Sequence, residues 1–312
     1  MIETLIIENE MIKKLDLLMN QVGKTPLLNL SQLSPNKAVK IYGKAEWEQL
    51  GGSVKARAAY RIIQTALKNG ILNKNKSLLD ASSGNTAIAY ASIAKELGLN
   101  TTLIIPKNAS QERKDILQSL GADLIYSSEL EGTDGAQQIA KQLYVECPDK
   151  YFYADQYNNP ENWKAHYCTT APEIVQQTKG GITHFAASLG TTGTFTGSAR
   201  YFKDHYPKVK LIQFQPNNPM HGLEGWKHLE TAKVPGIFNP QLADENIEVD
   251  SAEAVQLIKT IYQKMKLRLS PSAAAAVLGS LQLANKIEQG VIVTTLADNG
   301  DKYSEIYKNL EL

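Results

Sequence analysis

The chain has 312 residues, 43% of them apolar and 21% charged, with 33 Lys and Arg against 32 Asp and Glu. That length supports one large α/β domain or two smaller ones sharing a cleft. A net charge of +1 offers no basic excess for nucleic acid or an anionic membrane, so a small-molecule ligand is expected.

No run approaches the roughly 20 apolar residues of a spanning helix, and Met1-Ile2-Glu3-Thr4-Leu5 lacks the basic and apolar regions of a leader. With only Cys147 and Cys168, the compartment reads as reducing and cytoplasmic, and both thiols as buried or inert. Along the chain, 5–19 carries apolar residues at helical spacing, which reads as a packing or dimer surface rather than a membrane anchor. Strands are expected over 77–81, 101–105, 123–126, 151–154, 183–187, 210–214 and 291–296. Helices are expected over 54–68, 86–97, 111–120, 133–146, 162–178, 194–205, 252–266 and 272–286. Ser110 before Gln111-Glu112-Arg113 reads as an N-cap, with Gly121 as the stop. Such alternation gives parallel-type sheets flanked by helices, with ligands beyond the carboxyl ends of the strands at helix N-termini.

Four loops at such places carry chemistry. Gly51-Gly52-Ser53-Val54-Lys55 puts a lysine at a helix start. The helix dipole there has the wrong sign for an ammonium and depresses its pKa, as a Schiff-base lysine requires; a solvated surface lysine is the plainer alternative. Ser82-Ser83-Gly84-Asn85-Thr86 opens the next helix and offers hydroxyls and N–H groups to a carboxylate, or serves only as an N-cap. Gly190-Thr191-Thr192-Gly193-Thr194 follows an apolar strand. Its glycines let N–H groups converge on a phosphate monoester, although Gly/Thr loops also make plain turns. It lacks the G-x-G-x-x-G spacing of a dinucleotide site. Ser270-Pro271-Ser272 enters a late helix. Five histidines and two cysteines show no metal-ligand spacing, so no metal is expected. His166, in a helical stretch, reads as structural; His221 stays open.

Taken in order, from Gly23-Lys24-Thr25-Pro26-Leu27 to Asp298-Asn299-Gly300-Asp301-Lys302-Tyr303, these segments resemble the fold type II, tryptophan synthase β-like enzymes that use pyridoxal 5′-phosphate (PLP). Within them the chain is similar to the cysteine synthase and cystathionine β-synthase family, with a phosphate loop like that of cysteine synthase B. The resemblance implies a smaller, mobile substrate-loop domain over 40–155, a larger phosphate-binding domain over 1–39 and 156–312, and PLP in the cleft between them. It implies that Lys55 forms the Schiff base, Asn85 bonds the ring hydroxyl oxygen, and Gly190, Thr191, Thr192, Gly193 and Thr194 hold the phosphate. Ser272, with Ser270 as the alternative, faces the pyridine nitrogen. Ser82, Ser83, Thr86 and Gln156 clamp the substrate α-carboxylate. The segment 219–225, with His221, resembles the family's cleft-lining loop.

The implied reaction is β-replacement on O-acetyl- or O-phospho-L-serine by sulfide or thiosulfate, giving L-cysteine or S-sulfocysteine. Amine replacement as in diaminopropionate synthases, elimination to pyruvate and ammonia, and a non-catalytic scaffold are the alternatives. A homodimer is implied, and an acetyltransferase partner is left unassigned. Gln49-Leu50, Ala56, Ala87 and Ala273-Ala274 depart from the family's usual Asn-Pro, Asp, Gly and Ser-Gly. These departures bear on substrate identity rather than on cofactor binding.

Overall fold

The computed structural model describes residues 2–130 and 132–312, with side chains from residue 10 onward. The order opens with α1 (Ile2–Leu18), β1 (Leu27–Asn29), β2 (Val39–Ala45), α2 (Lys55–Lys68), β3 (Ser77–Ala81) and α3 (Asn85–Leu97). It continues with β4 (Thr101–Pro106), α4 (Gln111–Ser119), β5 (Asp123–Ser127), α5 (Gly132–Glu146), β6 (Tyr151–Tyr153), α6 (Pro160–Cys168) and α7 (Thr170–Gln177). The last elements are β7 (His184–Ser188), α8 (Gly193–His205), β8 (Lys210–Pro216), β9 (Glu245–Val249), α9 (Ser251–Met265), α10 (Pro271–Lys286), β10 (Gly290–Leu296) and α11 (Ser304–Asn309).

Two compact units result. Unit 1 holds Met1–Gly23, Gln49–Gly51 and Lys55–Asn162; unit 2 holds Lys24–Glu48, Gly52–Val54 and Trp163–Leu312. Unit 1 carries a parallel sheet in the order β5-β4-β3-β6. Leu78, Leu103 and Ile105 join one core with α1, α2 and α3, while Leu79, Ala81 and Ile104 join another with Ala136 and Ala140 of α5. Neighbouring strand residues point to opposite faces, so a strand covered on both faces is apolar throughout. Unit 2 repeats the scheme in the order β1-β2-β10-β7-β8-β9, with only β1 antiparallel. Ala186, Ile212 and Ile292 face the α9 and α10 side; Phe185, Leu211 and Val293 face α7 and α8.

The expected mixed α/β architecture with parallel sheets is present, and three local differences have physical causes. The expected helix over 162–178 is two helices, α6 and α7. Pro172 has no N–H to give to the carbonyl of Cys168, and the chain restarts at Thr169 outside helical geometry. β1, β2 and β9 are additional strands. β2 contains Lys44, which is fully buried with its ammonium on Glu173 at 2.8 Å, and β9 is a charged edge strand exposed at alternate positions. The unit boundaries also fall elsewhere than 40 and 155. Met11, Leu15 and Leu18 of α1 pack into the core of α2 and α3, whereas residues of β2 pair with β10. Both cysteines are exposed. Among the described residues no helix is long and apolar enough to cross a membrane.

Candidate active site

In unit 1, Gly51 occupies the left-handed region at φ +76, and a Cβ there would stand 3.2 Å from the Cα of Ala89. Its glycine identity therefore answers both to torsion and to the approach of α3. The chain then enters α2, whose first residue is the half-buried Lys55.

The second loop leaves the carboxyl end of β3. Ser82, Ser83, Gly84 and Asn85 are half-buried, and α3 begins at Asn85. The N–H groups of a first helical turn have no partner within the helix and offer themselves to an anion. Thr86 is buried, and its hydroxyl donates to Oε1 of Gln156 at 2.8 Å. Gln156 is held at three further points. Its Nε2 donates to the carbonyl of Ala81 at 3.2 Å, its carbonyl accepts from Asn162 Nδ2 at 2.7 Å, and its backbone N–H donates to Asp80 Oδ2 at 3.3 Å. The other carboxylate oxygen of Asp80 accepts the N–H of Ala81 at 2.8 Å. Asp80 is completely buried, which pushes its pKa up to about 7 even though both N–H bonds pull the other way.

In unit 2 the loop after β7 leads into α8. Thr192, its N-cap, sits at φ +68, ψ −5, a conformation that costs a β-branched residue about 1–2 kcal/mol. The glycines serve other needs: a Cβ at Gly190 would overlap the carbonyl oxygen of Gly225. The N–H of Gly193 donates to Thr191 Oγ1 at 3.4 Å. Thr194 is half-buried, and its hydroxyl lies 3.4 Å from His166 Nε2. His166 is itself buried, with Nδ1 2.9 Å from the hydroxyl of Thr170. His166 therefore braces the loop from behind, a contact its place in a helical stretch did not reveal.

A last group gathers at the start of α10. Ser270 Oγ accepts the N–H of Ala273 at 3.1 Å as the N-cap, and lies 3.0 Å from Ser272 Oγ. Ser272 Oγ donates to Asp298 Oδ1 at 3.3 Å, and the hydroxyl of Tyr303 donates to Asp298 Oδ2 at 3.1 Å. Both serines and Asp298 are buried. His221 is half-buried and accepts the N–H of Leu223 at 3.2 Å, and burial lowers its pKa.

Several of the predicted residues thus fall into three local clusters, one in unit 1 and two in unit 2, and Asp80 joins the first of them unannounced. An aspartate inside the apolar Leu78-Leu79-Asp80-Ala81 run is the one available signal for Asp80.

Comparison with known proteins follows the same lines. The family described as pyridoxal-phosphate dependent enzyme matches residues 18–298. A cysteine synthase of Aquifex aeolicus is 42% identical over 298 residues, 93% of this chain and 91% of that protein. Cysteine synthase B of Escherichia coli is 37% identical over 284 residues, 90% of this chain and 92% of that protein. The crystal structure of a cysteine synthase from Entamoeba histolytica superposes with a TM-score of 0.87 at 28% identity, over 93% of this chain and 90% of that one.

Proposed function

The chain belongs to the pyridoxal-phosphate dependent enzymes and is of the cysteine synthase type; on that premise we propose that it replaces the β-substituent of O-acetyl- or O-phospho-L-serine with sulfide or thiosulfate. The product is L-cysteine or S-sulfocysteine.

The residues suit the cofactor. Its phosphate needs several converging donors in little space. Gly190, Thr191, Thr192, Gly193 and Thr194 offer a helix N-terminus, hydroxyls and a backbone with no room for a Cβ at Gly190. Asn85 would bond the ring hydroxyl oxygen, a hydroxyl of Ser272 or Ser270 would meet the pyridine nitrogen, and Lys55 Nζ would hold the cofactor covalently. When bound, PLP supplies an electron sink for charge developing at the substrate Cα.

The protein's own groups do the rest. Ser82, Ser83, Thr86 and Gln156 bind the α-carboxylate and fix the direction of the Cα–H bond. Lys55 Nζ, once the substrate amine has released it from the cofactor, would take the Cα proton as general base. The Cβ–O bond breaks, and acetate or phosphate leaves with the electron pair. Sulfur then bonds to Cβ, and the proton returns from Lys55 to Cα. The observation that supports this reading is the fourfold anchoring of Gln156 beside Thr86, which fixes a polar side chain at the first turn of α3, where an α-carboxylate would meet helix N–H groups.

The test is direct assay of the purified holoenzyme with each activated serine and each sulfur donor. Acetate or phosphate release should match cysteine or S-sulfocysteine formed, mole for mole. Release of pyruvate alone from both serines, with no sulfur product, would overturn the reading.

A further inference from the structure

Asp80 is a carboxylate that the proposed chemistry leaves unused. It lies on β3 between Leu79 and Ala81, two members of an apolar core, and is completely buried. Burying an ionisable group is costly unless its bonds are made. Both oxygens are in fact spent on backbone N–H groups at one spot: Oδ1 on Ala81, the last residue of β3, and Oδ2 on Gln156. Around it stand Tyr90 from α3, Tyr153 from β6, and Asp155 and Tyr157 from the segment that follows. Asp155 is itself in the left-handed region at φ +45, a conformation that its neighbours must hold in place.

The two N–H groups that Asp80 accepts fix both ends of one small frame. Ala81 offers its carbonyl to Gln156 Nε2, and Gln156 offers Oε1 to Thr86. Removing the carboxylate frees the backbone of Gln156 and the end of β3 together.

We propose that Asp80 is a positioning residue for the substrate clamp, holding Gln156 and, through it, Thr86 where they meet an α-carboxylate. The inference rests on the reading that Ser82, Ser83, Thr86 and Gln156 bind that carboxylate. Asp80 touches no substrate. Its effect passes through Gln156, so the two residues act as one unit and their substitutions do not add.

The experiment is a double-mutant cycle on the holoenzyme with Asp80→Asn, Gln156→Ala and both together. The readouts are KM for O-acetyl-L-serine and, by calorimetry, the Kd of the unreactive L-alanine and of L-alaninamide, which has no carboxylate. Each single change should raise KM and the L-alanine Kd about tenfold, and the double change by about the same factor rather than a hundredfold. Binding of L-alaninamide should change less than twofold in all three. Asp80→Ser, whose hydroxyl can turn its proton away and accept, is carried in parallel in case the asparagine variant does not fold. Equal effects of Asp80→Asn with and without Gln156 would show independent action and overturn the proposal while leaving the clamp standing. Loss of fold in both Asp80 variants would also overturn it, making Asp80 a core residue only. Unchanged KM and Kd in Gln156→Ala would sink the clamp itself, and the role of Asp80 with it.

Discussion

Replacing Gly190 with alanine should damage the protein by crowding rather than by torsion. The added Cβ would overlap the carbonyl oxygen of Gly225 and stand 3.0 Å from its carbon. Neither side yields easily. Leu189, next to the substitution, accepts the N–H of Lys227 at 2.6 Å, and Trp226 between them is buried and bonded to Leu223 at 3.2 Å. Overpacking costs about 1–3 kcal/mol, and a strained Lys227–Leu189 hydrogen bond adds about 0.5–1.5 kcal/mol. A total of about 2–4 kcal/mol corresponds to a fall in Tm of roughly 3–6 °C for a chain of 312 residues. Because the same loop presents Thr191 and Thr194, PLP affinity should fall at least about tenfold. Gly225→Ala is the control: Gly225 lies at φ +79 with open space around it, so only the torsional cost of about 1 kcal/mol applies. Calorimetric melting of apo and PLP-loaded protein, with a PLP titration, measures all of this. A Gly190→Ala protein that melts within about 1 °C of the parent (~1 °C being under 1 kcal/mol) and binds PLP equally would refute the crowding argument. So would a Gly225→Ala protein that suffers as much.

Lys55→Ala should fold normally and bind PLP only reversibly. Borohydride treatment followed by peptide mapping should then find no cofactor fixed to the protein, and a fixed lysine elsewhere in unit 1 or unit 2 would displace Lys55 from its role. Thr191→Ala and Thr194→Ala should each weaken PLP binding by roughly ten- to hundredfold, since a hydrogen bond to a charged group contributes about 1.5–3 kcal/mol; unchanged affinity in both would remove this loop from the cofactor. Burial lifts the Asp80 pKa from 3.8 to about 7, so the folded state holds that proton more tightly than the unfolded chain. Its contribution to stability is therefore best below about pH 4 and declines by on the order of 4 kcal/mol as pH rises to about 7. The unfolding free energy of the parent minus that of Asp80→Asn should show this slope in urea melts, and a flat difference would mean that Asp80 titrates normally. Ser272→Asp would set a second buried carboxylate against Asp298, now 3.3 Å from the serine hydroxyl. The variant should be unstable at neutral pH and regain stability in acid, where the pair shares a proton; equal stability at both would contradict the contact.

Much of this was legible from residues in order. β3, β4 and β7 announce themselves because both faces are covered, so each carries a mainly apolar run, broken in β3 by Asp80. β2 does not, because a lysine in a strand looks solvated until Glu173, distant in sequence, is placed against it, and β9 does not because exposed polar residues alternate with its buried ones. The loops were equally visible, but their internal wiring was not. Thr86 meets Gln156 across 70 positions, and Asp80 meets it across 76. Nothing local marks such pairs. Torsion misleads in its own way: glycine is the residue expected to take a left-handed turn, yet in the loop before α8 Thr192 takes it and Gly190 is needed for clearance. Sequence pattern finds where the chain can bend, and packing decides which residue does so.

The strand order of unit 2 also sets when that unit can form. β10 lies between β2 and β7, with Gly290 paired to Val39 and Ile292 to His184. Until residues 290–296 leave the ribosome, β2 has no parallel neighbour and Ile41 and Val39 have no finished core. The sheet of unit 1 draws only on residues 77–153, so it can close while the ribosome is still making unit 2. Pairings across such sequence distances fold slowly and leave strand edges open meanwhile. Refolding from denaturant should therefore show two phases, an early one reported by Tyr90 and Tyr153 of unit 1 and a late one reported by burial of Trp226 in unit 2. During synthesis, β2 has only β1 beside it until β10 arrives.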